Sequence, residues 1–265
     1  MLSGKNTERC ISIASKPSRF GVDFHNKGYE LLGLNYDYIP LKVRPEQLEF
    51  IVQLVRDNFR GCSVSMPHKI EVMKYLDMFD ASAMNIGAVN TIVKQENGSL
   101  KGYNTDYYGA KRAIETKMGS IYDKSIVMMG AGGVARAIGN AVKDLGGRLT
   151  ISNRTYEKAK ELAKKLNAKT IPYNRLENSE GYLVINATSI GMNEGDNMPF
   201  SEGLLSKFDA VMDVVVGETK LILKAQELEK IVISGRLMTV YQAAEQFRLY
   251  TRKELPEDFL QSYLS

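Results

Sequence analysis

Two charged residues, Lys69 and Asp106, stand where acid–base chemistry could be done. Lys69 ends Ser65-Met66-Pro67-His68-Lys69, just past a short strand-like stretch, and Asp106 ends Asn104-Thr105-Asp106, just past a predicted hairpin. Each falls where a strand or hairpin gives way to a helix, the edge at which open α/β sheets bind ligands. A lysine beside a carboxylate is positioned to exchange a proton with a hydroxyl or carbonyl, and positioned acid–base groups contribute about 10²–10⁴ in rate. From pattern alone, a surface lysine and a helix N-cap aspartate fit the same positions, so both readings stand at this point.

A second group of residues points to a dinucleotide. Val127-Met128-Met129-Gly130-Ala131-Gly132-Gly133 is an apolar run too short for a globular helix that closes in glycines. Val134, Ile138, Ala141, Val142 and Leu145 follow at helical spacing. Strand, tight turn and helix is the order that dinucleotide binding needs. Gly130 permits the turn, Gly132 lets the backbone approach a pyrophosphate, and Gly133 lies where the helix begins. The free N–H groups and positive dipole end of that helix would face the anion. The next strand ends Ser152-Asn153-Arg154-Thr155, with Lys158 one helical turn on. An NAD site usually carries an acidic residue there for the ribose hydroxyls; Arg154 stands in its place. A guanidinium grips a phosphate through two parallel hydrogen bonds, and Thr155 would cap the helix and could donate to the same group. A charge-assisted bond of about 1.5–3 kcal/mol favours NADP over NAD by about ten- to a hundredfold. The expected cofactor is NADP.

The elements that must position these residues alternate along the chain. Residues 10–14, 36–41 and 61–65 read as strands. Helices are expected over 20–32 and from Pro45 through Leu48, Ile51, Val52 and Val55. Pro67 suits the first turn of a helix carrying Ile70, Met73 and Leu76. Asn97-Gly98, between strands at 90–94 and 100–103, signals a hairpin, and a helix then runs through Ala110, Ala113 and Ile114. From Lys124 onward, strands over 125–129, 148–152, 169–172, 182–186, 209–215 and 230–234 suit a doubly wound parallel sheet. A last helix covers 238–250. The predicted class is α/β: an N-terminal α/β substrate domain from 1–105 and 236–265, and a Rossmann NADP-binding domain over 106–235.

Composition narrows the function classes. A chain of 265 residues suffices for two ordinary domains. The formal charge of +4, from 35 basic and 31 acidic residues, is too small and too scattered to argue for nucleic acid. No apolar run approaches the roughly 18 residues of a membrane span. Cys10 and Cys62 form neither a metal pattern nor a disulfide framework and read as small core residues. The expected partner is a small molecule, with no metal, nucleic acid or membrane; a cytoplasmic monomer or homodimer is expected.

Taken in order, Ser65-Met66-Pro67-His68-Lys69, Gly87-Ala88-Val89-Asn90-Thr91, Asn104-Thr105-Asp106, Gly130-Ala131-Gly132-Gly133, Asn153-Arg154-Thr155, Asn186-Ala187-Thr188-Ser189 and Gln242-Ala243-Ala244 resemble the shikimate dehydrogenase family over essentially the whole chain. The resemblance implies a substrate domain and an NADP Rossmann domain with a cleft between them. It implies reversible hydride transfer between NADPH and 3-dehydroshikimate, giving shikimate. Lys69 and Asp106 match the catalytic pair: Lys69 gives a proton to the carbonyl oxygen, and Asp106 orients it and binds the neighbouring hydroxyl. Ser18, Ser65, Asn90 and Gln242 match positions that hold the substrate's carboxylate and hydroxyls. Ser15 is either a second such ligand or a structural loop serine. Asn153, Arg154, Thr155 and Lys158 match the adenosine phosphate clamp. Asn186, Thr188 and Ser189 match the loop beside the cofactor, and Met238 matches a position near the nicotinamide.

Some positions depart from that pattern. His68 stands where an aromatic residue is usual and reads as a cleft-wall residue rather than a second acid–base group. Val216 replaces an expected tyrosine and Lys220 an expected proline. These features resemble the shikimate dehydrogenase-like branch, whose natural substrates are uncertain. A missing tyrosyl hydroxyl costs substrate binding about 0.5–1.5 kcal/mol if its bond is not replaced. Quinate or an amino-substituted shikimate is therefore the alternative substrate. A protein that senses NADP(H) or a metabolite with little turnover is the reading from another class.

Overall fold

A computed structural model describes residues 7–264. The chain divides into two compact units, one running to Thr105 and taking in Gln242–Tyr263, the other Asp106–Tyr241.

In the first unit, β1 (Glu8–Ala14), α1 (Arg19–Leu31), β2 (Tyr36–Lys42), α2 (Leu48–Asn58) and β3 (Gly61–Val64) alternate. β4 (Met78–Phe79), α3 (Ala81–Ile86), β5 (Thr91–Lys94) and β6 (Leu100–Tyr103) follow. The six strands form one mixed sheet in the order β2-β1-β3-β5-β6-β4. β1 lies parallel to both β2 and β3, and its Cys10, Ile11, Ile13 and Ala14 are buried, the near-continuous apolar run of a strand covered on both faces. β3 meets β5 antiparallel, and β5 and β6 make the hairpin announced by Asn97-Gly98. Leu48, Val52 and Val55 repeat at helical spacing and bring α2 onto the same core as Ile11, Val64 and Ile92. Cys10 and Cys62 are buried as free thiols, and burial pushes the Cys10 pKa up to about 12.

The helix expected from Pro67 does not form. The Met66–Pro67 peptide is cis and residues 66–70 make a turn; only Glu71–Tyr75 is helical, as a 3₁₀ segment. The short α3, capped by Asp80, which accepts from the Ser82 N–H at 3.0 Å, and closed by Gly87 in the left-handed region, is an element the apolar pattern does not announce.

His25 of α1 is fully buried in an aromatic cluster, stacked on Tyr38 at 4.4 Å and parallel to Phe247 at 6.1 Å. Among the described residues neither of its ring nitrogens has a hydrogen-bond partner. Burial pulls its pKa down to about 3, which keeps the ring neutral.

The second unit opens with α4 (Thr105–Met118), whose Thr105 belongs to the first, and continues β7 (Ser125–Met129), α5 (Gly133–Asp144), β8 (Arg148–Ser152), α6 (Tyr156–Leu166) and β9 (Lys169–Thr170). Next come β10 (Gly181–Asn186), α7 (Glu202–Leu205), β11 (Phe208–Asp213), α8 (Lys220–Glu227) and β12 (Ile231–Ile233). Its six strands are all parallel, in the order β12-β11-β10-β7-β8-β9. The chain starts at the centre, winds outward through β8 and β9, and returns beside β7 as β10, the doubly wound arrangement of a Rossmann domain. The carboxyl ends of β7 and β10 flank the switch point where such sheets bind ligands. Gly139 lets α6 approach α5, since a Cβ there would sit 2.5 Å from Leu166. α9 (Gly235–Thr251) carries the chain from the second unit back to the first, and α10 (Glu257–Gln261) follows. Among the described residues no helix is long and apolar enough to cross a membrane.

Candidate functional site

In the first unit, the loops after β1 and β3 are joined. The Ser15 N–H donates to Met66 O at 3.1 Å and the Ser65 N–H to Ile13 O at 2.9 Å. Ser15, Ser65 and the turn carrying Lys69 therefore form one assembly. The turn is tied on two sides: Val89 N–H donates to Lys69 O at 2.8 Å, and His68 Nε2 lies 3.0 Å from Val43 O. His68 is 1% exposed, so it is an interior fastener between the turn and the end of β2 and does not line a surface. Ser18 is placed differently from Ser65: its hydroxyl accepts from the Phe20 N–H at 3.1 Å and caps α1.

Asn90 is joined to this assembly through the Val64 N–H, which donates to its carbonyl at 2.8 Å. Its buried carboxamide oxygen accepts from the Thr105 N–H at 2.7 Å, from Thr105 Oγ1 at 3.1 Å and from Thr91 Oγ1 at 2.9 Å. Gln242 Nε2 donates to Thr105 Oγ1 at 3.0 Å. Gln246, one turn further along α9, donates to Thr91 Oγ1 at 2.9 Å and to Asn90 O at 3.3 Å. Thr91, Thr105 and Gln246 are thus functional neighbours that motif reading passes over. The available signal is a polar residue where a buried strand or helix face calls for an apolar one. Asp106 follows Thr105 in the first turn of α4, half-buried.

In the second unit, Gly130 has φ of 128°, and a Cβ there would sit 2.6 Å from Ala187 O. Only glycine lets the end of β7 turn so close to the end of β10. Ala131 is half-buried between Gly130 and Gly132. Gly132 and Gly133 are exposed, and a Cβ on either meets nothing within 4 Å. The first bond of α5 runs from Arg136 N to Gly132 O, so the N–H groups of Gly133, Val134 and Ala135 precede any intrahelical acceptor. They offer an anion an open cradle.

At the end of β8, Asn153 Nδ2 donates to Thr155 O at 2.9 Å. Thr155 sits at the N-cap of α6 but its hydroxyl makes no capping bond, contrary to the expected cap: its ψ of 97° differs from the 147° and 158° of the capping residues Ser18 and Thr219. Arg154 and Lys158 are exposed, and neither makes a side-chain hydrogen bond or ion pair among the described residues. Two cations without carboxylate partners fit the extra phosphate of NADP.

The loop after β10 is held from within. Asn186 is fully buried: its Nδ2 donates to Ile190 O at 3.0 Å and Asp213 Oδ1 at 2.9 Å, while its Oδ1 accepts from Thr188 N and Oγ1. The Thr188 hydroxyl also accepts from Ile190 N. These two side chains are fully engaged in shaping the loop, and Ser189 is the exposed one. Asp213, which motif reading left without a role, accepts from Asn186, from Val215 N at 3.1 Å and from Thr219 Oγ1 at 2.7 Å. Burial raises its pKa above the ordinary carboxylate value against the pull of those three bonds. Val216 is exposed beside a cavity of about 360 Å³ that Met192, Met198, Lys220 and Leu221 also line. Met238 is buried on α9. Among the described residues no three His, Cys, Asp or Glu side chains cluster to hold a metal.

Comparison with known proteins matches both units. The model of the shikimate dehydrogenase substrate-binding domain covers residues 20–92, and that of shikimate/quinate 5-dehydrogenase covers 112–190. An NADP-dependent shikimate dehydrogenase of Methanocaldococcus jannaschii is 40% identical across 89% of this chain and 88% of its own. A shikimate dehydrogenase-like protein of Haemophilus influenzae is 38% identical across 97% of this chain and 94% of its own. Among solved structures, the shikimate 5-dehydrogenase of Listeria monocytogenes in complex with shikimate and NAD superposes with a TM-score of 0.89 at 33% identity, covering 99% of this chain and 98% of that one.

Proposed function

The chain belongs to the shikimate dehydrogenase family, and on that premise we propose that it interconverts 3-dehydroshikimate and shikimate, with Lys69 and Asp106 as the catalytic pair. As a member of that family it is an NADP-dependent oxidoreductase acting on CH–OH groups. When bound, the cofactor supplies or accepts the hydride.

The chain's own residues do the rest. Lys69 delivers a proton to the substrate's carbonyl oxygen in reduction and takes it back in oxidation, and Asp106 orients the ammonium and binds the adjacent hydroxyl. The tie from Lys69 O to Val89 holds the lysine's backbone one residue from Asn90, so the proton donor and the hydroxyl-binding amide keep a set spacing. Asn90 and Gln242 bind ring hydroxyls. Ser15 and Ser65, the serines at the joined loop ends, take the carboxylate, while Ser18 contributes mainly by capping α1. In the second unit, Gly130, Ala131, Gly132 and Gly133 admit the pyrophosphate to the α5 N-terminus. Arg154 and Lys158, with Asn153 and Thr155, hold the adenosine phosphate. Asn186 and Thr188 act by shaping the loop that presents Ser189, and Met238 packs near the nicotinamide position. Division of the chain at residues 105 and 235 separates the substrate-binding from the cofactor-binding part.

The observation that carries this reading is the Asn90 assembly, in which the amide oxygen is held by Thr105 immediately before Asp106. Val216 in place of an expected tyrosine favours a second substrate, quinate or an amino-substituted shikimate. Steady-state assays with NADP and a panel of shikimate, quinate and an amino-substituted shikimate test both. Shikimate is expected to give the highest kcat/KM. A higher value for quinate moves the assignment to the second substrate, and tight NADP binding with no turnover of any member moves it to a sensor.

A further inference from the structure

We propose that Asp213 is a positioning residue for the nicotinamide end of the cofactor site: its carboxylate fastens the loop after β10, which carries Ser189, to the loop after β11. The inference rests on the assignment of the glycine turn and of Arg154 to NADP. Strand order gives the place. The proposed adenosine phosphate clamp stands at the end of β8 and the glycine turn at the end of β7, with β10 and β11 next in the sheet on the other side. A dinucleotide lies across the switch point of such a sheet. A cofactor with its adenosine at β8 and its pyrophosphate at β7 therefore carries its other half toward β10 and β11. The loop after β10 starts against the turn itself: Ala187 N–H donates to Met129 O at 2.8 Å, and Ala187 O is the atom 2.6 Å from a Cβ on Gly130. The loop after β11 meets the start of α9, where a Cβ on Gly235 would sit 2.5 Å from both Val214 O and Val215 O.

Asp213 and Asn186 are register partners at the ends of β11 and β10, and both are fully buried. Main-chain groups orient the Asn186 amide. A carbonyl only accepts, so the Asn186 atom 3.0 Å from Ile190 O is the nitrogen. A main-chain N–H only donates, so the atom 3.1 Å from Thr188 N is the oxygen. The nitrogen's second proton goes to Asp213 Oδ1 at 2.9 Å. The same oxygen accepts from the Val215 N–H at 3.1 Å, which folds the chain back after β11. Oδ2 accepts from the Thr219 hydroxyl at 2.7 Å, while Thr219 Oγ1 accepts from the Ile222 N–H at 3.2 Å and caps α8. One carboxylate thus holds both ends of the 215–219 loop and, through Asn186, the 188–190 turn.

Among the described residues Asp213 makes no ion pair. A buried charge without a cation costs stability even when it is hydrogen-bonded, and an apolar residue would end the strand more cheaply. An apolar residue offers no acceptor, and an asparagine offers one oxygen where this site uses two. The acid is therefore suited to joining two loops rather than to filling the core. Sealed from solvent, Asp213 touches no ligand and acts through the loops that it holds.

Asp213→Ala removes both oxygens, and Asp213→Asn keeps the one shared by Asn186 and Val215. The first readout needs no ligand: hydrogen exchange of the Val215 amide, held directly by Asp213, and of the Thr188 amide, held through Asn186. Both should be protected in the parent, exchange faster in Asp213→Ala and regain protection in Asp213→Asn. An unchanged Thr188 amide in Asp213→Ala overturns the link between the loops. The second readout is calorimetric affinity for NADP and for adenosine 2′,5′-bisphosphate, which carries the extra phosphate but no nicotinamide half. Asp213→Ala should weaken NADP about tenfold or more and leave the bisphosphate unchanged, and Asp213→Asn should recover most of the loss. Equal weakening of the two ligands marks general damage and overturns the proposal, as does unchanged affinity for NADP. Should Asp213→Ala fail to fold, Thr219→Val, which takes away the Oδ2 bond, carries the same comparison against Thr219→Ser, which keeps it; NADP alone should weaken severalfold. A parent that binds neither ligand breaks the cofactor assignment and the proposal with it. A parent that binds both leaves the assignment standing whatever the variants do.

Discussion

In the second unit, the groups that face the expected anion are the main-chain N–H groups of Gly133, Val134 and Ala135, admitted by a left-handed glycine. In the first unit the proposed ligand groups are side chains: Asn90 and Gln242 are held through Thr105, and Lys69 is placed by its main-chain carbonyl, which accepts from Val89. The backbone site is local: nine residues from Val127 to Ala135 contain it. The side-chain site draws on residues 15, 65, 69, 90, 91, 105, 242 and 246, brought together by long-range hydrogen bonds. A backbone cradle serves any ligand with the same phosphates, whereas a face of side chains can be altered one hydroxyl at a time. On the proposed assignment, cofactor choice and substrate choice are separate problems solved in separate units.

The largest effect expected from breaking that comparison is at Gly130. Gly130→Val forces a β-branched residue to a φ of 128° with its Cβ 2.6 Å from a backbone oxygen. Strain of about 1–3 kcal/mol or more is expected. NADP binding measured by calorimetry should be lost, and the melting temperature should fall by several degrees. Next is Arg154→Ala, which should raise KM for NADP about ten- to a hundredfold and leave KM for NAD nearly unchanged. Equal changes for the two cofactors would show that Arg154 does not read the extra phosphate.

The smallest effect concerns stability in the first unit. The unfolded chain protonates His25 below pH 6.5, whereas the folded chain resists to about 3. Stability contributed by the neutral ring is therefore complete above 6.5 and falls as pH drops toward 3, by at most about 1.4 kcal/mol per pH unit. Denaturant titrations at pH 7 and 5 should show this loss in the parent and a smaller one in His25→Phe. The same slope in both would remove His25 from the account.

The same contrast governs what is legible in a sequence. The Rossmann unit reads well because its strands are apolar runs, its helices amphipathic, and its anion site a contiguous glycine turn. In the first unit, β1, α2 and the Asn97-Gly98 hairpin also show in local patterning. Local signals fail where polar partners decide. Pro67 looks like a helix start, yet the turn at 66–70 is organised by His68 reaching Val43 and by Lys69 O accepting from Val89. Thr91 and Thr105 are 14 residues apart and Gln246 lies 155 residues from Thr91, so no window contains the network. Asp213 ends an apolar strand, and its role depends on Asn186 and Thr219. Family resemblance marked Asn90 and Gln242, but only the structure orients their amides.

The claim on which the rest depends is that Lys69 moves the proton during shikimate oxidation. It is tested most directly by kcat with saturating shikimate and NADP for Lys69→Ala against the parent. A fall of about 10²–10⁴-fold with KM for NADP unchanged is predicted; a variant as fast as the parent would contradict it.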